Sequence, residues 1–226
     1  GMGKAAALET VKNGGRVLLI SRNTEKLAHA KAELLQQVPE AQIETNSLDC
    51  RDEVAVQEFA QTLDTDCWDG LVISAAGRAA HGPVVDIQTN DVREMMESKF
   101  WSAFHVAKYV APVLRDKGSI VFVTGVLNRR PGVNCAPLAI ANGALEGLAR
   151  SLALEWGPRL RANCLSPGFC DTERFDHMEP SRKASMLQNT ASSLPLQRVG
   201  TPSDMGQAIY YLLTAPFVTG VVLDVE

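Results

Sequence analysis

Apolar runs rich in valine, isoleucine and leucine alternate along this chain with segments of helical period. "RVLLIS" (16–21), "QIETNSLD" (42–49), "GLVISAAG" (70–77), "GSIVFVTG" (118–125), "RANCLSPG" (161–168) and "GVVLDV" (220–225) read as strands. Between them, apolar spacing predicts helices at about 2–13, 24–37, 52–63, 88–115, 136–156 and 202–213. Strands this apolar are buried on both faces, and their alternation with helices calls for a parallel sheet. The pattern therefore predicts an α/β fold: a doubly wound parallel sheet in three α/β/α layers. Thr201 followed by Pro202 marks a helix start, with proline at the first helical position.

No internal repeat, low-complexity tract or linker divides the chain, so residues 1–226 are expected to form a single domain. The segment 173–200 departs from the alternation. "ERFDHMEPSRKASML" is polar and helix-prone, and "SSLPLQRVG" reads as loop. A long excursion after a strand's carboxyl end is more often a lid or binding loop than a second domain. A strand should precede the opening glycines, and the end at "LDVE" is equally abrupt. The expectation is that a first strand and the extreme C-terminus are absent from this sequence, leaving the sheet without its centre.

Composition narrows the function classes. The formal net charge of −4, with basic residues scattered, gives no reason to expect nucleic acid or an anionic membrane as partner. No apolar run approaches the roughly 20 residues that span a bilayer, and no signal peptide opens the chain. Cys50, Cys67, Cys135, Cys164 and Cys170 are odd in number and widely spaced. They signal neither a disulfide framework nor a zinc site, and reduced thiols in a cytoplasmic protein are the expectation.

The candidate chemistry begins at Gly1-Met2-Gly3, which leads into "KAAALETVKNGG". Glycines before a helix let a pyrophosphate approach the backbone, where unpaired N–H groups and the helix dipole favour an anion. The next strand ends in Ser21-Arg22, where an acidic residue would hydrogen-bond the ribose of NAD. A hydroxyl and a guanidinium suit a 2′-phosphate instead, so NADP(H) is the expected cofactor. A solvated arginine at a helix start is the alternative.

These stretches, taken in order, resemble the short-chain dehydrogenase/reductase family, whose fold is the Rossmann fold, over essentially the whole chain. "SLDC" resembles a strand ending at which Asp49, beside Cys50, accepts from the adenine amino group. "SAAG" stands where the family has Asn-Asn-Ala-Gly, so Ala75, Ala76 and Gly77 are placed beside the cofactor. "SPGFCDT" resembles the turn under the nicotinamide, with Pro167, Gly168 and Thr172 as contacts. "ALEGLARSLALE" resembles the central helix, and "PLQRVGTPSDMGQAIYYLLTAPFVTGVVLDV" the last helix and strand.

The resemblance also implies a catalytic asparagine, serine, tyrosine and lysine. Those positions hold Lys99, Gly125, Leu138 and Asn142. A register slip does not rescue them, because none of Tyr109, Tyr210 and Tyr211 has lysine four residues on. Asn142 is expected to keep a bond to the nicotinamide ribose. Thr124 is expected to point into the sheet. Lys99 near a cofactor needs a charge partner or water, and a surface lysine on a slightly rotated helix is an equal alternative. On the rim, Arg129, Arg130, Asn134, Arg174 and His177 each read singly as solvated loop residues. Asp171 stands out, since it follows the Pro-Gly turn on the substrate side.

Hydride addition to a ketone leaves an alkoxide, and losing the phenol and ammonium should cost on the order of several kcal/mol in that barrier. An iminium ion needs no acid, tolerates Leu138, and is stabilised by a carboxylate such as Asp171. The expected catalytic set is therefore Asp171, Asn142 and Lys99, acting on a small-molecule substrate with no metal. A non-redox enzyme such as a cyclase, or an inactive nucleotide-binding homologue, is the alternative. Helices 88–115 and 136–156 resemble those the family pairs across two-fold axes, which implies a homodimer or homotetramer; small residues such as Ala139, Gly143 and Gly147 permit that close packing, or packing of the helix against the sheet.

Overall fold

The computed structural model describes residues 1–77 and 79–226. In chain order the main elements are α1 (Met2–Lys12), β1 (Val17–Ser21), α2 (Thr24–Gln37), β2 (Ile43–Ser47), α3 (Glu53–Gln61) and β3 (Gly70–Ile73). They continue as α4 (Thr89–Met96), α5 (Ser102–Val110), β4 (Gly118–Val123) and α6 (Ala136–Glu155). The chain ends with β5 (Leu160–Pro167), α7 (Pro180–Ser193), α8 (Pro202–Thr214) and β6 (Val222–Val225). Every strand pair is parallel.

Alternation along β4 sorts the core into two layers. Ile120 and Phe122 point into a cluster with Val56 of α3, Ala103 of α5 and Leu145 and Leu152 of α6. Val121 and Val123 point the other way, onto Ala6 of α1 and Met205, Ile209 and Leu212 of α8. A strand buried on both faces in this way carries apolar residues at consecutive positions, which is why "SIVFV" shows no polar alternation. The predicted doubly wound, three-layer arrangement is the observed one.

The predicted single helix over 88–115 is instead broken. A π-helical turn, Glu97–Trp101, joins α4 to α5, and a 3-10 turn at Ala111–Val113 ends the run. Segment 173–200 holds a short 3-10 turn at Glu173–Phe175 and then α7, a helix with no buried residue. The strands form two groups, β1–β2 and β3–β4–β5–β6. Between β1 and β3 lies a cleft of about 1230 Å³, lined by Leu18, Ile20, Leu71 and Val72 together with residues of α1.

Candidate active site

Parallel strands deliver their carboxyl ends to one edge, and the positions expected to contact a nucleotide lie there. At the start of α1 the first intrahelical bond is Ala5 N–H to Gly1 O. The amides of Met2, Gly3 and Lys4 are thus left without intrahelical acceptors, which suits an arriving phosphate. A Cβ on Gly3 would lie 2.6 Å from Ser74 Oγ, so only glycine lets this turn sit against the end of β3. The amide of Gly77 donates to Ser98 Oγ (3.2 Å), which fixes the loop carrying Ala75 and Ala76. Arg22 is exposed at the tip of β1, 3.7 Å from Asp49 Oδ2. Arg51 grips Asp49 more closely, at 2.6 Å, and holds its carboxyl down at about 2. Cys50 is half-buried, and burial pushes its thiol up to about 11. Pro167 ends β5, Gly168 follows it, and Thr172 precedes the 3-10 turn. These residues fit a dinucleotide with a 2′-phosphate: free helix amides, a glycine cradle and an accessible guanidinium.

The four altered catalytic positions also meet at this edge. β4 ends at Val123, and the next two carbonyls are taken by side chains from different helices. Lys99 Nζ donates to Thr124 O (3.0 Å), and Asn142 Nδ2 donates to Gly125 O (3.1 Å). Both side chains are buried, and Asn142 Oδ1 has no partner. Thr124 points into the sheet as expected, donating to Leu165 O (3.1 Å). Lys99 is no surface lysine. Burial first, and the Arg174 guanidinium second, push its ammonium down to about 8. Gly125 has φ +152°, and a Cβ there would lie 3.0 Å from Asn142 Nδ2. The backbone at the serine position is thus shaped for glycine. Leu138 packs into an apolar cluster with Ala79, Met95, Met96 and Ala141. A hollow of about 420 Å³, lined by Pro83, Val84, Asn134, Ala136, Ala139 and Ile140, opens beside this first turn of α6.

Comparison with known proteins converges on one family. All of residues 1–226 match the family model described as enoyl-(acyl carrier protein) reductase. The chain belongs to the short-chain dehydrogenase/reductase family. Carbonyl reductase family member 4 of Danio rerio is 27% identical over 230 residues, spanning 100% of this chain and 92% of the relative. A tropinone reductase homologue of Arabidopsis thaliana is 27% identical over 235 residues, spanning 100% of this chain and 87% of the relative. An NADPH-bound short-chain oxidoreductase from Pseudomonas aeruginosa PAO1 superposes with TM-score 0.88 at 27% identity, over 100% of this chain and 91% of that one. That protein is described as containing an atypical catalytic center.

Within this short-chain reductase, several rim residues are engaged in holding the structure. Asp171 pairs with Lys183 of α7 at 3.0 Å, so its charge is already offset. Arg129 pairs with the buried Glu146 (3.1 Å), with Ser166 Oγ (2.7 Å) and with Asp224; Arg130 pairs with Glu226. Asn134 adopts φ +63° and accepts from the amide of Gly82. Arg174 and His177 are exposed. Two features escaped sequence reasoning. Glu173, whose carboxyl Lys4 holds down from 2.7 Å, lies against the glycine turn at the start of α1. Cys135, at the start of α6, has its sulfur 3.6 Å from His81 Nδ1. Neither belongs to a motif, because each partner comes from a distant segment: Lys4 from α1 and His81 from the loop after β3.

Proposed function

We propose that this protein is an NADP(H)-dependent oxidoreductase with a non-standard active site, acting on a small-molecule electrophile without a phenolic proton donor. The observation that carries this reading is the gathering of Lys99, Gly125, Leu138 and Asn142 beside the positions expected to contact the nucleotide. Bound NADPH supplies a hydride. Gly1, Met2 and Gly3 receive the pyrophosphate, with Lys4 beside them; Ser21 and Arg22 receive the 2′-phosphate; Asp49, Cys50, Ala75, Ala76 and Gly77 flank the adenosine and ribose. Asn142 faces the nicotinamide ribose, and Pro167, Gly168 and Thr172 support the nicotinamide.

NADPH is expected to bind more tightly than NADH, and Arg22→Ala to erase most of that preference. Titration of nucleotide fluorescence measures both; equal affinities in the wild type would sink the assignment. Leu138 favours a second reading, the iminium substrate, because an apolar residue replaces the acid. The hollow beside α6 and the buried Lys99 favour an enzyme over an inactive binding homologue. We further propose a cytoplasmic homodimer or homotetramer. Exposed Trp101 after α4 and exposed Ile140 and Leu154 on α6 supply apolar contact surface. Sedimentation velocity showing only monomer at micromolar concentration would remove the oligomer.

A further inference from the structure

We infer that Lys99 is the proton donor of this site, and that the substrate is a carbonyl compound whose oxygen becomes anionic as hydride arrives. This rests on the reductase reading above. Its first support is backbone geometry. The π-helical turn Glu97–Trp101 lies between two ordinary α-helical segments, and Lys99 is its central residue. Such turns recur at functional sites, because the widened coil re-aims side chains. Lys99 stands between buried Met95 and buried Ala103, so the face of the helix that packs inward carries a lysine among apolar residues.

The second support is what surrounds the amine. Lys99 is 6% exposed, and its Nζ donates to one neutral acceptor, Thr124 O. An ammonium has three N–H groups to give. Among the described residues no carboxylate lies within ion-pair distance of it. β4 and its extension present Thr124 and Gly125, α6 presents Leu138 and Asn142, and the segment after β5 presents the cation Arg174. None of these groups neutralises Lys99. The site is therefore positive, which attracts a developing oxyanion and repels an iminium ion. On the adjoining carbonyl, Asn142 leaves a buried, unpartnered Oδ1. That orphaned acceptor adds a second incompletely partnered buried polar group beside the amine.

The step balances. Hydride, with two electrons, bonds to the carbonyl carbon, and the C=O π pair moves onto oxygen. The Lys99 N–H bond breaks with its pair left on nitrogen, and the proton bonds to that oxygen. The products are an alcohol, NADP⁺ and a neutral amine, which solvent reprotonates. The depressed affinity of Lys99 for its proton, near 8, suits release and recapture close to neutral pH.

The test uses the intact protein with NADPH and three probes: 2,3-butanedione, acetophenone and the cyclic iminium formed from 2-methyl-1-pyrroline. The dione or the ketone is expected to turn over, with kcat falling above pH about 8 as one proton is lost. Lys99→Met should lower carbonyl kcat about 100-fold or more, and Lys99→Arg should match it, because a guanidinium keeps its proton. Both variants should hold NADPH as the wild type does, which also shows them folded. Independently of turnover, NMR of lysines labelled at Cε should show one resonance, absent from Lys99→Met, that titrates near pH 8. Undiminished carbonyl kcat in Lys99→Met, turnover of the iminium alone, or no carbonyl turnover in a wild type that binds NADPH would each overturn the proposal. Failure of the wild type to bind NADPH would instead overturn the reading beneath it.

Discussion

Lys99 is a residue whose burial has a measurable thermodynamic signature. Its ordinary value is 10.5, and burial in the folded protein lowers it to about 8. Between those values the unfolded chain binds more protons than the native one, so stability contributed through this group rises with pH across that window. Below about 8 the native state carries the full cost of a buried charge, which a shift of this size puts at about 3 kcal/mol. Lys99→Met is expected to unfold at higher urea concentration than the wild type at pH 7, with the advantage shrinking toward pH 10.5. A variant less stable at pH 7, or a gap unchanged with pH, would count against a buried, charged lysine. A residue that weakens the fold but is built into a π turn fits a functional demand better than a packing one. Its neighbour Gly125 shows the same coupling, since φ +152° excludes a simple return to serine.

At the scale of elements, the segment after β5 starts packed, with Phe169 stacked on Phe175 and Cys170 in the core, while α7 is tied on by charge. Lys183 of α7 bridges Asp171 (3.0 Å) and Asp176 (2.8 Å), and α7 itself buries no residue. Pairs at the surface contribute little to stability, and salt screens them. Lys183→Ala should therefore speed amide exchange across 171–193 while leaving β4 and β5 protected. Hydrogen-exchange mass spectrometry resolves the two regions, and equal exchange in variant and wild type would remove the bridge from the account. By contrast α8 is fixed at both levels. Its capping box joins Thr201 to Asp204 (3.3 Å from the Asp204 amide to Thr201 Oγ1), and Met205, Ile209 and Leu212 are fully buried.

For the molecule as a whole, the division of the sheet is the main unresolved free energy. β1 and β3 each pair on one side only, and their other edges face a cleft of about 1230 Å³ with apolar walls. Unpaired strand edges beside apolar surface favour adding a strand. We propose that a parallel strand completes the sheet between β1 and β3. Fusing a strand of alternating valine and isoleucine ahead of Gly1 is expected to raise the urea midpoint and to protect the amides of Val17–Ser21 and Gly70–Ile73. Unchanged midpoint and protection would show that the cleft does not take a strand.

Much of this fold was legible because strand and helix periodicities are local and the two-sided burial of "SIVFV" leaves an unmistakable run. That the candidate nucleotide positions share one edge was legible for the same reason: they follow strand ends, and the topology of a parallel sheet brings strand ends together. Positions 99, 125, 138 and 142 could be aligned, so the missing phenol was visible in the sequence. What Lys99 does was not. Its spacing from Met95 and Ala103 puts it on the inward face, but its sole acceptor is the carbonyl of Thr124, 25 residues away. Asp171 shows the same limit, because its partner Lys183, on α7, could not be read from the residues around it. Local pattern determines which elements form and where their ends lie. Charge and reactivity at those ends depend on desolvation and on partners from distant segments, and only the tertiary structure supplies these.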